Sequence, residues 1–376
     1  MNEYFGSSKY IESKERIKRA FNFEIDDFRE VPLILQTNSY WLTGHVPEEI
    51  PDDYFDNPQS MLEFQEEGII EHLEKVDDDY IPYLMPWYGV ALMSGAFGSK
   101  VIFPKKIDPS CASFSVENLE DIEELEIPEF EENFFTKKVL DTIRHFKDKS
   151  DWPIAITDPQ GTLATISLIV GYKNLFYWMN DYPDKIDDLF DKVNQTLIEW
   201  VKTQKKYSGE KTDQCNGAIN VALPEGLGVW WADDDSVILS PEMYKRFVMP
   251  HYSKLFGSFG SGMLHWCGNS NHQLDNILNV REIKAVHNYI LGEVDSVVKV
   301  QNRTKGKKVC LVAGDIIPVE EELEGYLKEI KEKLDPRGLV LQFTVSPKLG
   351  LKKGQYTETT RDVMKSAERI LNFFRG

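Results

Sequence analysis

In the run Met263-Leu264-His265-Trp266-Cys267-Gly268 an imidazole and a thiol stand two residues apart at the end of an apolar stretch. On a β-strand, residues i and i+2 point to one face, so His265 and Cys267 look into the same space. Imidazole nitrogen and thiolate sulfur are donors that suit a soft divalent ion such as zinc. The plainer alternative is a core histidine beside a buried cysteine. Which applies depends on where the run ends, and therefore on the elements that carry it.

Those elements alternate. Apolar runs read as strands at Val31–Gln36, Tyr80–Leu84, Pro153–Thr157, Ala218–Ala222, Met263–Cys267, Ile283–His287, Val309–Ala313 and Leu339–Val345. Between most of them lie stretches with helical spacing, such as Ile186, Leu189, Phe190, Val193, Leu197, Trp200 and Val201. Ser240-Pro241-Glu242 is a helix start, with a capping serine and a proline in the first turn. Apolar strands separated by amphipathic helices imply a parallel sheet covered by helices. Eight such units in 376 residues predict a single (β/α)8 TIM barrel, α/β in class, over residues 31–376. A helical extension precedes it over residues 1–30, and a long insertion follows the second strand. No Gly-x-Gly-x-x-Gly follows the first strand, which argues against a dinucleotide fold.

In this barrel the site is built at the C-terminal ends of the strands. The strand tips then supply Gln36 and Asn38, Asp158 and Gln160, Glu225, His265 and Cys267, His287, Asp315, and Ser346 with Lys348. Asp158, Asp315, His265 and Cys267 are the candidates for proton transfer or metal ligation. Gln36, Asn38, Gln160, Glu225, His287 and Ser346 are candidates for holding substrate. Trp230 and Trp231, read as lying in the loop after Glu225, either wall a pocket or pack that loop down. The run Asp233-Asp234-Asp235 reads as a turn and helix entry from which one member could reach the site. Cys310 falls about four residues short of its strand tip, roughly 13 Å deeper, and reads as core. Cys111 and Cys215 lie away from the tips. A third metal ligand would come from Glu225, His287 or Asp315.

Composition narrows the function classes. Net charge is −19, from 43 basic and 62 acidic residues, which excludes a basic nucleic-acid surface. Four scattered cysteines make no disulfide framework. No stretch approaches the roughly 20 apolar residues of a membrane helix, and the N-terminus lacks a signal-peptide pattern. A reduced, cytoplasmic protein is expected.

Four segments, in this order, resemble the uroporphyrinogen decarboxylase superfamily: Thr157-Asp158-Pro159-Gln160-Gly161-Thr162-Leu163-Ala164, Leu239 to Phe247 with Pro250-His251-Tyr252, His265-Trp266-Cys267-Gly268, and Val312-Ala313-Gly314-Asp315-Ile316-Ile317-Pro318. The resemblance implies one of two activities. One branch decarboxylates uroporphyrinogen without a cofactor, using an aspartate and arginines after the first strand. Here that segment reads Gln36-Thr37-Asn38-Ser39-Tyr40, without arginine. The other branch moves a methyl group between a corrinoid on a carrier protein and a thiol or tetrahydrofolate. Its thiol-alkylating members hold zinc with His-x-Cys, matched by His265 and Cys267, and with a cysteine after the last strand, where this chain reads Phe343-Thr344-Val345-Ser346-Pro347 without one. The closer resemblance is to the methyltransferase branch. It implies a corrinoid presented by a partner, zinc at His265 and Cys267, and a homodimer. A cofactor-free decarboxylase or lyase, or a non-catalytic corrinoid- or tetrapyrrole-binding barrel, are the alternatives.

Overall fold

The computed structural model describes residues 2–37, 48–289 and 293–376, except for the side chains of Asn2, Glu3, Tyr289 and Asp315. The strands in chain order are β1 (Leu33–Gln36), β2 (Lys100–Ile102), β3 (Ser110–Ser113), β4 (Val229–Ala232), β5 (Gly262–Cys267), β6 (Ile283–Tyr289), β7 (Cys310–Ile316), β8 (Leu339–Thr344), β9 (Leu349–Lys352) and β10 (Gln355–Glu358). Six form one parallel sheet in the order β1-β8-β7-β6-β5-β4. Two extended segments close it into a (β/α)8 barrel. Leu84 bridges Ile154 in parallel, and Gln160 bridges Ala232 next to β4. On the far side Asp79 N–H donates to Leu33 O, joining the first of these segments to β1.

That junction is irregular because side chains take over the ladder. The Leu33 N–H donates to the Asp79 carboxylate at 2.9 Å, and the Leu35 N–H to Asp78 at 2.6 Å. Buried backbone donors must find acceptors, and here carboxylates serve where a regular second strand would. Arg375, in the final helix Val363–Arg375, holds Asp79 at 2.5 Å and ties the chain's end to the barrel wall. The helix Ser8–Phe21 begins at a capping Ser7 and buries Ile17 and Ala20. The hairpin β2/β3 lies in the excursion after the second barrel segment, and a second hairpin, β9/β10, follows β8. No helix among the described residues is long and apolar enough to cross a membrane.

One expected strand is overturned. Ala218–Ala222 is a tight turn, not the fourth strand: Ala218 and Val221 exchange backbone hydrogen bonds around Ile219 and Asn220, which have φ of 51° and 63°. Two successive positive φ values are turn geometry and cannot continue a strand. The apolar composition of this run reflects burial, since Ile219 is fully enclosed. The fourth strand is Val229–Ala232, so its tip carries Asp233 and Asp234.

The pairing of β4 with β5 sets Ala232 beside His265 and starts at Val229 opposite Gly262. A methyl group on Gly262 would lie 2.1 Å from Val229 O and 2.9 Å from the Phe256 ring. Gly262→Ala therefore has to push β4 aside. Overpacking of this kind costs about 1–3 kcal/mol, read as a lower urea midpoint with an unchanged slope. A midpoint equal to wild type would contradict the close β4–β5 approach.

Candidate functional site

The barrel mouth is assembled from the ends of β4 and β5. Successive residues of a strand face opposite sides of the sheet, so the partners Ala232 and His265 share the interior face, and the side chains two residues further on return to it. Those are Asp234 and Cys267. The Cys267 N–H donates to Asp234 Oδ1 at 2.6 Å. Cys267 Sγ lies 3.4 Å from His265 Nε2, and Asp234 Oδ1 lies 3.5 Å from the same nitrogen. All three ligand atoms fall within 4.8 Å of one another. Zinc bonds of 2.0–2.3 Å in a tetrahedron give ligand–ligand edges of about 3.3–3.6 Å, and the separations of 3.4 and 3.5 Å from His265 Nε2 match them. The residues present fit a zinc ion.

Behind this group a hydrogen-bonded row crosses the interior. His265 Nδ1 lies 2.8 Å from His287 Nδ1, and His287 Nε2 lies 3.0 Å from Gln342 Oε1. Gln342 donates to Gln36 Oε1 at 2.9 Å, which also accepts the Thr344 hydroxyl at 2.8 Å. Both imidazoles are neutral. Burial takes His265 down to about 3, and burial together with His265 keeps His287 well below its ordinary value.

The sequence-derived candidates separate. His265, Cys267, His287 and Gln36 belong to the cluster and its supporting row. Asp158 and Gln160 lie in the same mouth: Gln160 donates to Asp158 at 2.9 Å, and the Asp158 charge is felt at Cys267. Glu225 does not join them. It precedes β4 and lines a cleft of about 1140 Å3 with Ser261, Lys284 and Lys308, residues at the starts of strands, hence at the opposite end of the barrel. Trp231 is also outside the mouth: it is paired with Leu264 rather than His265, is fully buried, and packs against Phe259. Ser346 is buried and caps a turn, its hydroxyl accepting the Lys348 and Leu349 N–H groups at 3.2 and 3.1 Å. Asn38 and the Asp315 side chain lie outside the described residues. Cys310 is core.

Asp234 is the member of the Asp233-Asp234-Asp235 run that reaches the site, set at a strand tip because the fourth strand starts at Val229, after the turn that Gly226-x-Gly228 marks. One member is not among the candidates. Gln342 was a visible anomaly, a lone amide inside the apolar run Leu339–Val345, and a buried polar group needs a buried partner. Asp233, next to Asp234, points the other way and accepts the hydroxyls of Tyr244 at 2.6 Å and of Tyr252, fastening the helices Pro241–Phe247 and Met249–Gly257 over β4.

The mouth is electronegative. Burial raises Asp234, and burial followed by the Asp234 charge pushes the Cys267 thiol well above its ordinary value. Among the described residues no lysine or arginine pairs with Asp158 or Asp234. Asp108, which accepts from Trp87 Nε1 at 2.5 Å, adds its charge at Asp158.

The fold and site define a TIM barrel with a metal-competent cluster at its C-terminal mouth. The chain belongs to the Uroporphyrinogen decarboxylase (URO-D) family, whose sequence profile matches residues 83–335. Among solved structures it is similar to a methyltransferase from Methanosarcina mazei, with TM-score 0.68 and 17% identity over 97% of this chain and 99% of that one. At that identity the likeness concerns the fold. No curated protein matches the sequence.

Burial pushes the Asp158 carboxyl from 3.8 up to about 7, Gln160 opposing and the Asp234 and Asp108 charges adding. Between those values the folded chain holds a proton that the unfolded chain has released, so this group's contribution to stability falls as pH rises. Asp158→Asn removes that dependence. Melting curves across the window should show a shallower fall than wild type and a higher melting temperature above pH 7; parallel curves would contradict the burial of this carboxylate.

Proposed function

We propose that this protein is a methyltransferase that moves a methyl group between a corrinoid on a carrier protein and a thiol or tetrahydrofolate, with zinc held by His265, Cys267 and Asp234. The observation that carries the reading is the Asp234–His265–Cys267 cluster at the barrel mouth. Its donor set pairs one imidazole and one thiolate with a carboxylate, and three protein ligands are the pattern of catalytic rather than structural zinc. Bound there, zinc supplies Lewis acidity that favours the thiolate form of an acceptor thiol. The chain's own groups do the rest. Asp234 is pinned by the Cys267 N–H, His265 is held from behind by His287, and Asp158, kept as an acid near neutrality, can donate a hydrogen bond to a substrate oxygen or nitrogen. Cys267 is exposed at the rim although its sulfur is partly enclosed by His265 and Asp234, and a carrier-bound cofactor and an acceptor can approach from above.

A second reading rests on that same acid. Asp158, protonated near pH 7, is a proton donor for a metal-free decarboxylase or lyase on a smaller acid.

Elemental analysis and turnover distinguish them. The methyltransferase reading expects about one zinc per chain, lost in Cys267→Ala and Asp234→Ala, and thiol-dependent demethylation of methylcobalamin that a chelator abolishes. A metal-free protein inert to methylcobalamin would sink it. Activity on a carboxylic acid that survives chelation but not Asp158→Asn would establish the second.

A further inference from the structure

The row behind His265 does more than fill the barrel. Its two imidazoles meet nitrogen to nitrogen at 2.8 Å, so one Nδ1 must donate and the other accept. Which does so follows from the far end. Gln36 Oε1 accepts from both Thr344 and Gln342, which turns the Gln342 amide so that its Oε1 faces His287 Nε2. An amide oxygen only accepts, so His287 carries its proton on Nε2 and its Nδ1 accepts. His265 then carries its proton on Nδ1, and its Nε2 lone pair points between Cys267 Sγ and Asp234 Oδ1.

The barrel is built around this link. A methyl group on Gly314 of β7 would lie 2.7 Å from His287 Nε2 and 2.8 Å from Gln342 Oε1. Any side chain there would occupy the space where the imidazole and amide meet, and glycine leaves it free.

We infer that Gln342, acting through His287, is a positioning residue that selects the His265 tautomer with a free Nε2 and so presets the mouth to accept a metal ion. Gln342 touches none of the three candidate ligands. It acts across the interior, from β8 through β6 to β5. Partners of this kind fix the ring orientation and tautomer of ligating histidines, and their loss weakens metal affinity by about 10- to 100-fold. The metal part rests on the proposed function; the tautomer part does not.

The first measurement needs no metal. In the apo protein with 15N-labelled histidine, long-range proton–nitrogen correlations assign each ring nitrogen, His265 being identified by its loss in His265→Gln. We expect Nδ1 protonated and Nε2 bare; a protonated Nε2 overturns the inference. The second is cobalt(II) titration, followed by the thiolate-to-cobalt absorption. Gln342→Met removes the acceptor at nearly constant volume and should weaken binding about 10- to 100-fold. Gly314→Ala, which pushes the partners apart without deleting either, should weaken binding as Gln342→Met does. Equal affinity in Gln342→Met and wild type overturns the inference even where metal binds. If wild type takes up no cobalt but shows the bare Nε2, the metal reading fails and the tautomer selection stands. If Gln342→Met does not fold, the wild-type tautomer decides.

Discussion

A closed barrel of parallel strands has no water inside, so a polar side chain placed there has to be answered by another. The contact between His265 and His287 is that constraint in its sharpest form. Two neutral rings share one proton position, and each must find a further partner on its other nitrogen. One partner is the amide of Gln342, itself answered by Gln36. The other is the group at the mouth, Cys267 with Asp234. The interior row and the rim cluster are thus one hydrogen-bonded unit, and the strand register that aligns Ala232, His265 and His287 is what makes it continuous.

The outer face of the same strand ends is used differently. Asp233 turns its carboxylate to two tyrosines of the overlying helices, while its neighbour Asp234 turns to the mouth. One dipeptide therefore fastens the helical layer and furnishes the site. On the opposite wall Asp78 and Asp79 take the backbone N–H groups of β1, leaving Gln36 anchored where it can close the row. Carboxylates in this barrel replace missing backbone acceptors, hold helices, or gather at the rim, and the three uses are separated by single steps along the chain.

The barrel was legible because period and length are properties of the sequence itself. Seven of eight strand positions follow from apolar runs, and His265 with Cys267 follows from alternation on one of them. The fourth strand was not, because Ala218–Ala222 and Val229–Ala232 are both short, apolar and buried, and only backbone dihedrals tell a turn from a strand there. That single displacement carried Glu225 into the site and left open which member of Asp233-Asp234-Asp235 reaches it. Trp231 was misplaced for the same reason. Gln342 was overlooked for another: it lies one residue pair below the tip, and a rule that looks for chemistry at strand ends does not look at what orients it.

Charge separates the inherited fold from what it can bind. A substrate with many carboxylates needs guanidinium or ammonium groups to meet it, yet residues 37–48, which follow β1 in the sequence, contain neither lysine nor arginine. The described part of the mouth offers Asp158 and Asp234 without a basic partner, and both are raised by burial. Carboxyls so placed offer hydrogen-bond donors and cation ligands rather than countercharges for a polyanion, and the three atoms that a cation would meet first are spaced for one. Membership of the family accounts for the barrel, while the donor set at the described rim is what the proposed chemistry rests on.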